Sequence, residues 1–512
     1  MPMNPADVVE LVTDHLVPAF EAERARLAVI DVWYRWQHED VRTPNAATQE
    51  LKALVELAKT PWLSLVVTNV AQAMRVDGYR TPESRDDSRS WRLWQANGLG
   101  RRQGAVHRAM LAYGCSYATA APGVDDLTGN PMAVLRGVSP RKMLAFYTDP
   151  AEDDWPVYAL RSTGPGQWWL TDAEATYVLR PGPDLSPGVL GRLTVTDTRP
   201  HTAGVCPVVR FTNMLDLDGR TDGEIEPVIP LAKRINKTTY DRLMIQHFNS
   251  WKVRTVAGMA EPDGDEAATR AKLKLRHDDL LVAEDPDTKF GTLPETPLDG
   301  MIRAYETDIK TLAASTQTPV HALTGDMINL SAEALAAARA ELDAKVAERR
   351  LSAGESWAQL LRLGAHIDGD REAAADVMAE VTWADTSVRS LATAADALGK
   401  MATMLGVPPA ALWSRIPGVS KTDVEEWKAL AADGDPFGQL GDMLQHQATD
   451  PAVTVDPAEL KAQADAMGVL IRSGVEPVDA AIRSGLGPLR FTGAVPTTLR
   501  VPQADAADLE DA

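Results

Sequence analysis

The sequence predicts an α+β, mostly helical fold of more than one domain. Residues 5–114 carry apolar side chains at helical spacing. Residues 115–215 break into short runs rich in β-formers, separated by Gly, Pro and Asp turns. Two long helical patterns, Glu226–Trp251 and Leu298–Thr316, then flank a compact section, 252–298, that reads as strands and turns.

The N-terminal helices come first. Over 5–60, Leu11, His15, Phe20, Leu27 and Ile30 recur at roughly helical spacing, and an amphipathic run follows from Thr48 to Lys59. A helix from Pro61 would place Leu65, Val66, Val70, Ala73 and Met74 on its apolar side, before Val76-Asp77-Gly78-Tyr79 turns into a short strand. A Trp-rich helix, Ser90–Asn97, stops at Gly98, and another over 101–114 stops at Gly114.

The first long helix sets Leu231, Ile235, Tyr240, Leu243, Met244, Phe248 and Trp251 on one broad face. Pro227 and Pro230 suit its first turn, and at 1.5 Å per residue it would be roughly 35 Å long. Strands are expected over 251–258 and 280–285. The second helix aligns Met301, Ile302, Tyr305, Ile309 and Leu312, and Pro319 ends it. A loop over 317–330 opens into an alanine-rich helix whose N-cap is Ser331. That helix would reach Gly364 with a kink at Gly354. Helices are expected at 387–405, 420–432 and Pro457–Ser473, with a linker-like patch at 433–442 and a disordered acidic tail.

Composition narrows the function. Fifty-two Lys and Arg against 72 Asp and Glu give a formal charge of −20. That argues against a protein that grips nucleic acid, which needs cations on the phosphates. It permits one that DNA slides past, where strong attraction would act as a brake. The two cysteines, Cys115 and Cys206, form no CxxC pair, which excludes a zinc ribbon or a disulfide framework; both thiols read as buried and inert. The first residues, acidic and without a basic n-region, do not read as a signal peptide. No apolar stretch reaches about 18 residues, so no membrane span is expected.

Motifs for catalysis are incomplete. Gly114-Cys115-Ser116-Tyr117-Ala118 lacks the last glycine of GxSxG and sits at a helix-to-strand change, the reverse of a nucleophile elbow. Gly418-Val419-Ser420-Lys421-Thr422 ends like a Walker A loop but has neither its glycine spacing nor a preceding strand, so Ser420 reads as an N-cap. Asp216, Asp218, Asp222, Glu224 and Glu226 crowd one stretch, but Gly219 stands at the fourth position where an EF-hand needs it at the sixth; a solvated acidic loop is the simpler reading. The histidines form no HxH or HxxxH pair, and His107 and His247 read as packing or surface residues. Trp62, Trp91, Trp94 and Trp357 read as core or interface anchors. Lys233, Arg234, Lys237 and Arg242 make the first long helix basic in an acidic protein, either as a solvated face or as the lining of a passage for a polyanion.

Several stretches together resemble the portal proteins of tailed bacteriophages, of the type found in siphophages. These are Trp62–Val67 with Arg75–Arg80; Trp94–Leu99 with His107-Arg108 and Tyr113-Gly114; Pro319–Leu335; and Leu470–Val475 with Phe491–Pro496. The resemblance covers roughly 10–500. It implies a portal fold with wing, two-helix stem, small β-containing clip and helical crown, assembling as a ring. On that pattern 1–226 would be the N-terminal wing region, 227–251 and 299–316 the stem, 252–298 the clip, and 317–330 a channel loop. Residues 331–432 would be the long kinked helix and wing or crown helices, and 433–512 the C-terminal crown region with the acidic tail.

The same resemblance implies a non-enzymatic DNA channel at one capsid vertex, working without a cofactor or metal, in a virion assembled from chains made in the bacterial cytoplasm. Expected partners are further copies of the chain, to about twelve, double-stranded DNA, the terminase large subunit, major capsid and scaffolding proteins and head-tail adaptors, with no membrane. DNA-facing candidates are Lys233, Arg234, Lys237, Arg242, Lys310, Thr324, Asp326 and Asn329; clip or partner-docking candidates are Trp251, Lys252, Arg254 and Phe290. The rivals are another structural protein of the virion head, which as a scaffold would lack the β-rich segment, and a Trp-rich hydrolase, which would need two carboxylates converging in one pocket.

Overall fold

The computed structural model describes residues 2–38, 49–80, 88–125, 128–182, 193–249, 254–257, 289–292, 296–325, 332–384, 391–416, 419, 421–433 and 457–486. Two compact units emerge, Met1–Ala384 and Asp385–Ala512.

The first unit opens with α1 (Pro5–Glu10), capped by the Asn4 side chain, which accepts the Ala6 N–H at 3.2 Å. A π-helical stretch, Leu11–Leu16, leads into α2 (Val17–Tyr34). The buried face here is Val8, Val12, Leu16 and Phe20, not the expected Leu11 and His15. A strict repeat of four drifts around an α-helix, and the wider π turn realigns it. Then come α3 (Gln49–Ala58), α4 (Trp62–Ala73), β1 (Val76–Arg80), α5 (Ser88–Ala96) and α6 (Leu99–Tyr113), close to expectation. Gly114 ends α6 with φ +91°, and a Cβ there would clash with the Thr221 carbonyl oxygen, so only glycine fits.

The β-rich expectation holds. Strands β2 (Cys115–Val124), β3 (Pro131–Val138), β4 (Met143–Phe146), β5 (Tyr158–Gly164), β6 (Gln167–Thr171), β7 (Ala175–Pro181), β8 (Leu193–Pro200) and β9 (Val208–Thr212) follow. They make a three-stranded sheet, β3-β2-β9, and a five-stranded meander, β4-β5-β6-β7-β8. The meander packs Leu160, Trp168, Leu170, Tyr177 and Leu179 against the α1 face. A short hairpin, β10 (Met214–Leu215) with β11 (Thr221–Asp222), leads through a 3-10 turn, Glu226–Val228, into α7 (Ile229–Asn249).

After α7 the described residues resume as β12 (Arg254–Ala257), which pairs antiparallel with β13 (Lys289–Thr292). The strand expected over 280–285 lies outside the described residues. Helix α8 (Asp299–Ser315) returns alongside α7. Residues read as open loop form a short helix, α9 (Val320–Thr324), closed by Gly325 at φ +76°. The long helix α10 (Ala332–Ile367) continues through Gly354 and past Gly364, three residues beyond the expected end. Gly364 serves close approach, since a Cβ there would lie 2.6 Å from Leu93 Cδ2, whereas one on Gly354 would just reach contact with Val381 Cγ2 at 3.4 Å. Val381 belongs to β14 (Glu380–Trp383), which follows the short α11 (Arg371–Ala375) and pairs with β1. Its partner stands 300 residues earlier, so local patterning did not reveal it.

The core of this unit centres on Trp94, Trp357 and Phe211, with ring centroids 4.8 Å and 4.6 Å from Trp357. The second unit holds α12 (Leu391–Leu405), α13 (Pro409–Leu412), a 3-10 turn at Trp413–Arg415, α14 (Lys421–Asp433), α15 (Pro457–Arg472) and α16 (Pro477–Arg483). Within it Trp413 meets Trp427 edge to face at 6.2 Å. The short α13 and α16 were not anticipated. The stretch 434–456 and the tail from 487, with Phe491–Pro496, lie outside the described residues.

Candidate functional site

Helices α7 and α8 form an antiparallel pair fixed by contacts along its length. Arg234 Nε lies 2.9 Å from Asp308 Oδ1, and Thr238 Oγ1 donates to Asp308 Oδ2 at 3.4 Å. Further along, the Arg242 guanidinium sits over the Tyr305 ring at 5.4 Å, and Asn249 donates to the Thr296 carbonyl at 2.9 Å. The strand pair β12–β13 joins the far ends of the two helices. At the near end α7 buries Ala232, Ile235, Asn236, Thr239 and Tyr240, while Leu231, Leu243 and Met244 are half-buried. The buried face of α7 therefore lies one helical step away from the purely apolar face that spacing suggested, and it takes in Asn236 and Thr239 as hydrogen-bonded polar groups. Asn236 pairs with His38, and Thr239 donates to the Ile235 carbonyl.

The four basic residues of α7 do not act as one face. Arg234 and Arg242 turn to α8. Lys233 and Lys237, one turn apart, are exposed. Lys233 lies over the Trp33 ring at 5.7 Å, and Lys237 pairs with Asp241. Lys310 and Thr324 line one 680 Å³ cavity between α8, α9 and the start of α10, with Ile309, Ala313, Val320 and Ala338. Arg254 and Phe290 occupy β12 and β13, where Phe290 stands opposite Val256. Asp326, Asn329, Trp251 and Lys252 lie outside the described residues.

The acidic stretch after β9 is not uniformly solvated, which corrects the sequence reading. Asp216 accepts the backbone N–H of Asp218 and Arg220 and pairs with the Arg220 guanidinium, and these donors hold its carboxyl below the usual range. Glu226 pairs with Arg26. Glu224 is buried between Lys345 and Arg349 of α10, at 3.2 Å from Arg349 Nε. Lys345 also donates to the Thr316 carbonyl at 2.8 Å, at the C-terminal end of α8 where the helix dipole favours a cation. This cluster ties the entry to α7, the exit of α8 and the long helix to one point. Sequence reasoning missed it; its signal was a Lys and an Arg four apart within an alanine-rich helix. Among the described residues no group of three or more His, Cys, Asp or Glu could hold a metal ion.

His107 is fully buried. Its Nδ1 faces the Met74 carbonyl at 3.0 Å and its Nε2 accepts from Trp357 Nε1 at 2.9 Å, which assigns the proton to Nδ1. Burial pushes it down to about 4. Cys115 and Cys206 are buried free thiols, and burial raises both, far from the low pKa of a nucleophile. No helix among the described residues is long and apolar enough to cross a membrane.

Against known proteins, residues 14–436 match the family described as phage portal protein, SPP1 Gp6-like. The portal protein of Mycobacterium phage D29 is 26% identical over 468 residues, covering 87% of this chain and 93% of the relative. That of Mycobacterium phage L5 is 26% identical over 475 residues, covering 88% and 93%. Among solved structures, a chain from the virion of a native gene transfer agent particle aligns with 74% of this chain and 99% of its own, at TM-score 0.45 and 14% identity. A chain from the neck of the native particle, computed with C12 symmetry, aligns over 72% and 96% at TM-score 0.44 and 14% identity. By the match that spans most of its length, the chain belongs to the phage portal protein family.

Proposed function

We propose that this chain assembles into a ring, of about twelve copies, at one vertex of a phage capsid, and that the genome passes through its centre during packaging and ejection. Family membership carries the reading, and the order of elements supports it: helix α7, the β12–β13 pair, the returning α8, the short α9 and then the long α10. On this reading α7 and α8 are the stem, the segment between them is the clip that docks the terminase large subunit and head-tail adaptors, and 317–330, which includes α9, is the channel loop. Capsid and scaffolding proteins surround the ring. The chain performs no chemistry; it holds shape while a separate ATPase drives DNA.

In a ring, one side chain becomes a belt. Lys233 and Lys237, exposed on α7, and Lys310 on α8 are the candidates for weak phosphate contacts, with Thr324 at the end of α9 and, from the sequence, Asp326 and Asn329. Light scattering with negative-stain imaging tests the architecture: rings with a central hole are expected, while a chain that stays monomeric even with capsid protein present sinks the reading. Deleting Thr324–Asn329 should leave rings intact but impair packaging or retention of DNA. Normal packaging by that variant would remove the loop from the mechanism.

A further inference from the structure

We infer that the outward face of α2 is a contact surface for a second copy of this chain, covered when neighbouring subunits meet. The inference rests on the ring reading and names the face involved. The inward face of α2 sends Leu27, Ile30 and Trp33 into the main core. The outward face carries Ala25, Val29 and Val32 at i, i+4 and i+7, and Trp36 extends the stripe beyond the helix end. Val29 is 56% exposed, Val32 38% and Trp36 43%. A helix apolar on both sides is the pattern of one that is buried on both.

The end of the stripe is fixed outward. Trp36 has φ +48°, a left-handed conformation that a bulky side chain rarely adopts. Its surroundings hold it there. The Arg35 N–H donates to the Asp31 carbonyl and the Gln37 N–H to the Val32 carbonyl, both at 2.9 Å. His38 stacks on Trp33 at 3.8 Å and pairs with Asn236 of α7. An indole held in solvent against backbone preference has the character of an interface anchor.

Charge favours a second copy as the occupant. Chains of formal charge −20 repel one another, so copies need contact patches that add no net charge. The ionic groups beside the stripe are already paired within the chain: Glu21 with Arg24, Glu23 with Arg26, and Asp31 with Arg35 and Arg141. In a cyclic ring the contact is heterologous, so α2 meets a different face of the next subunit.

Two measurements on the full chain test this. Val32→Glu should leave the far-UV spectrum and melting midpoint of the free chain unchanged, yet abolish rings in sedimentation. A photo-crosslinking amino acid at Val29, in assembled protein, should give a product of twice the chain mass. Rings that survive Val32→Glu, with crosslinks only inside one chain or to another virion protein, overturn the α2 proposal and leave the ring reading standing. Wild-type protein that never forms rings overturns both.

Discussion

His107 occupies a helix position where sequence alone leaves surface, packing and ligand roles open; its two ring partners settle the matter. With both nitrogens engaged and no access to water, it stays neutral in the folded chain down to about 4. The unfolded chain takes up the proton near pH 6.5. Stability from the neutral ring is therefore complete above about pH 6.5 and is lost as pH falls toward 4. By linkage the loss approaches about 3 kcal/mol. The unfolding free energy of wild type relative to His107→Gln should narrow by about 2–3 kcal/mol between pH 7 and 4.5; a constant gap would place the acid-sensitive group elsewhere. Glu224 gives a second residue-scale test. Glu224→Gln leaves Lys345 and Arg349 buried without their carboxylate, so a cost of about 3–5 kcal/mol is expected in denaturant melts. Lys345→Met, which keeps the Glu224–Arg349 pair, should cost less. The sequence offered Glu224 as one acid among five. Nothing local distinguished it, because the two cations that pair with it lie more than a hundred residues away.

At the scale of elements, patterning read best where a single helix faces a single core. The extents of α4, α5, α6 and α8 followed from periodicity and glycine stops. Trp94 and Trp357 proved to be core residues, while Trp62 and Trp91 pack half-buried on the core's edge. Reading failed where tertiary contact gave a residue its meaning. Gly354 looked like a flexible point in α10, yet the helix is continuous there and the missing side chain makes room for β14. The two explanations predict different mutants. Gly354→Ala, whose Cβ would meet Val381 at ordinary contact distance, should be neutral or stabilise by up to about 1 kcal/mol through helix propensity. Gly354→Leu should cost about 1–3 kcal/mol by forcing β14 away. If Gly354→Ala destabilised as much as Gly354→Leu in thermal melts, a backbone role for the glycine would be restored. The basic face of α7 shows the same limit. The helix carries four cations in sequence, but α8 takes Arg234 and Arg242 as partners, and Lys233 and Lys237 are left with no contact to it. That division depends on how the two helices meet.

For the whole molecule, a net charge of −20 and a DNA passage are compatible because screening makes charge local. At about 0.15 M salt the Debye length is about 8 Å, so acids scattered over the surface contribute little at the channel wall, while a lysine within reach of a phosphate contributes fully. A ring repeats that lysine once per subunit. On the proposed ring, weak single contacts would become a belt that holds DNA without gripping it, and each phosphate neutralised would add a salt-dependent increment. Lys233→Ala with Lys237→Ala removes two exposed cations per subunit and touches neither the Arg234–Asp308 pair nor the Arg242–Tyr305 contact, so the helix pair should stay intact. Filled particles carrying wild-type subunits should lose DNA more readily as salt rises, and particles with the double variant should show a shallower dependence. If both responded to salt alike, these lysines would not touch the genome, and the channel wall would have to be sought on α8 and the loop that follows it.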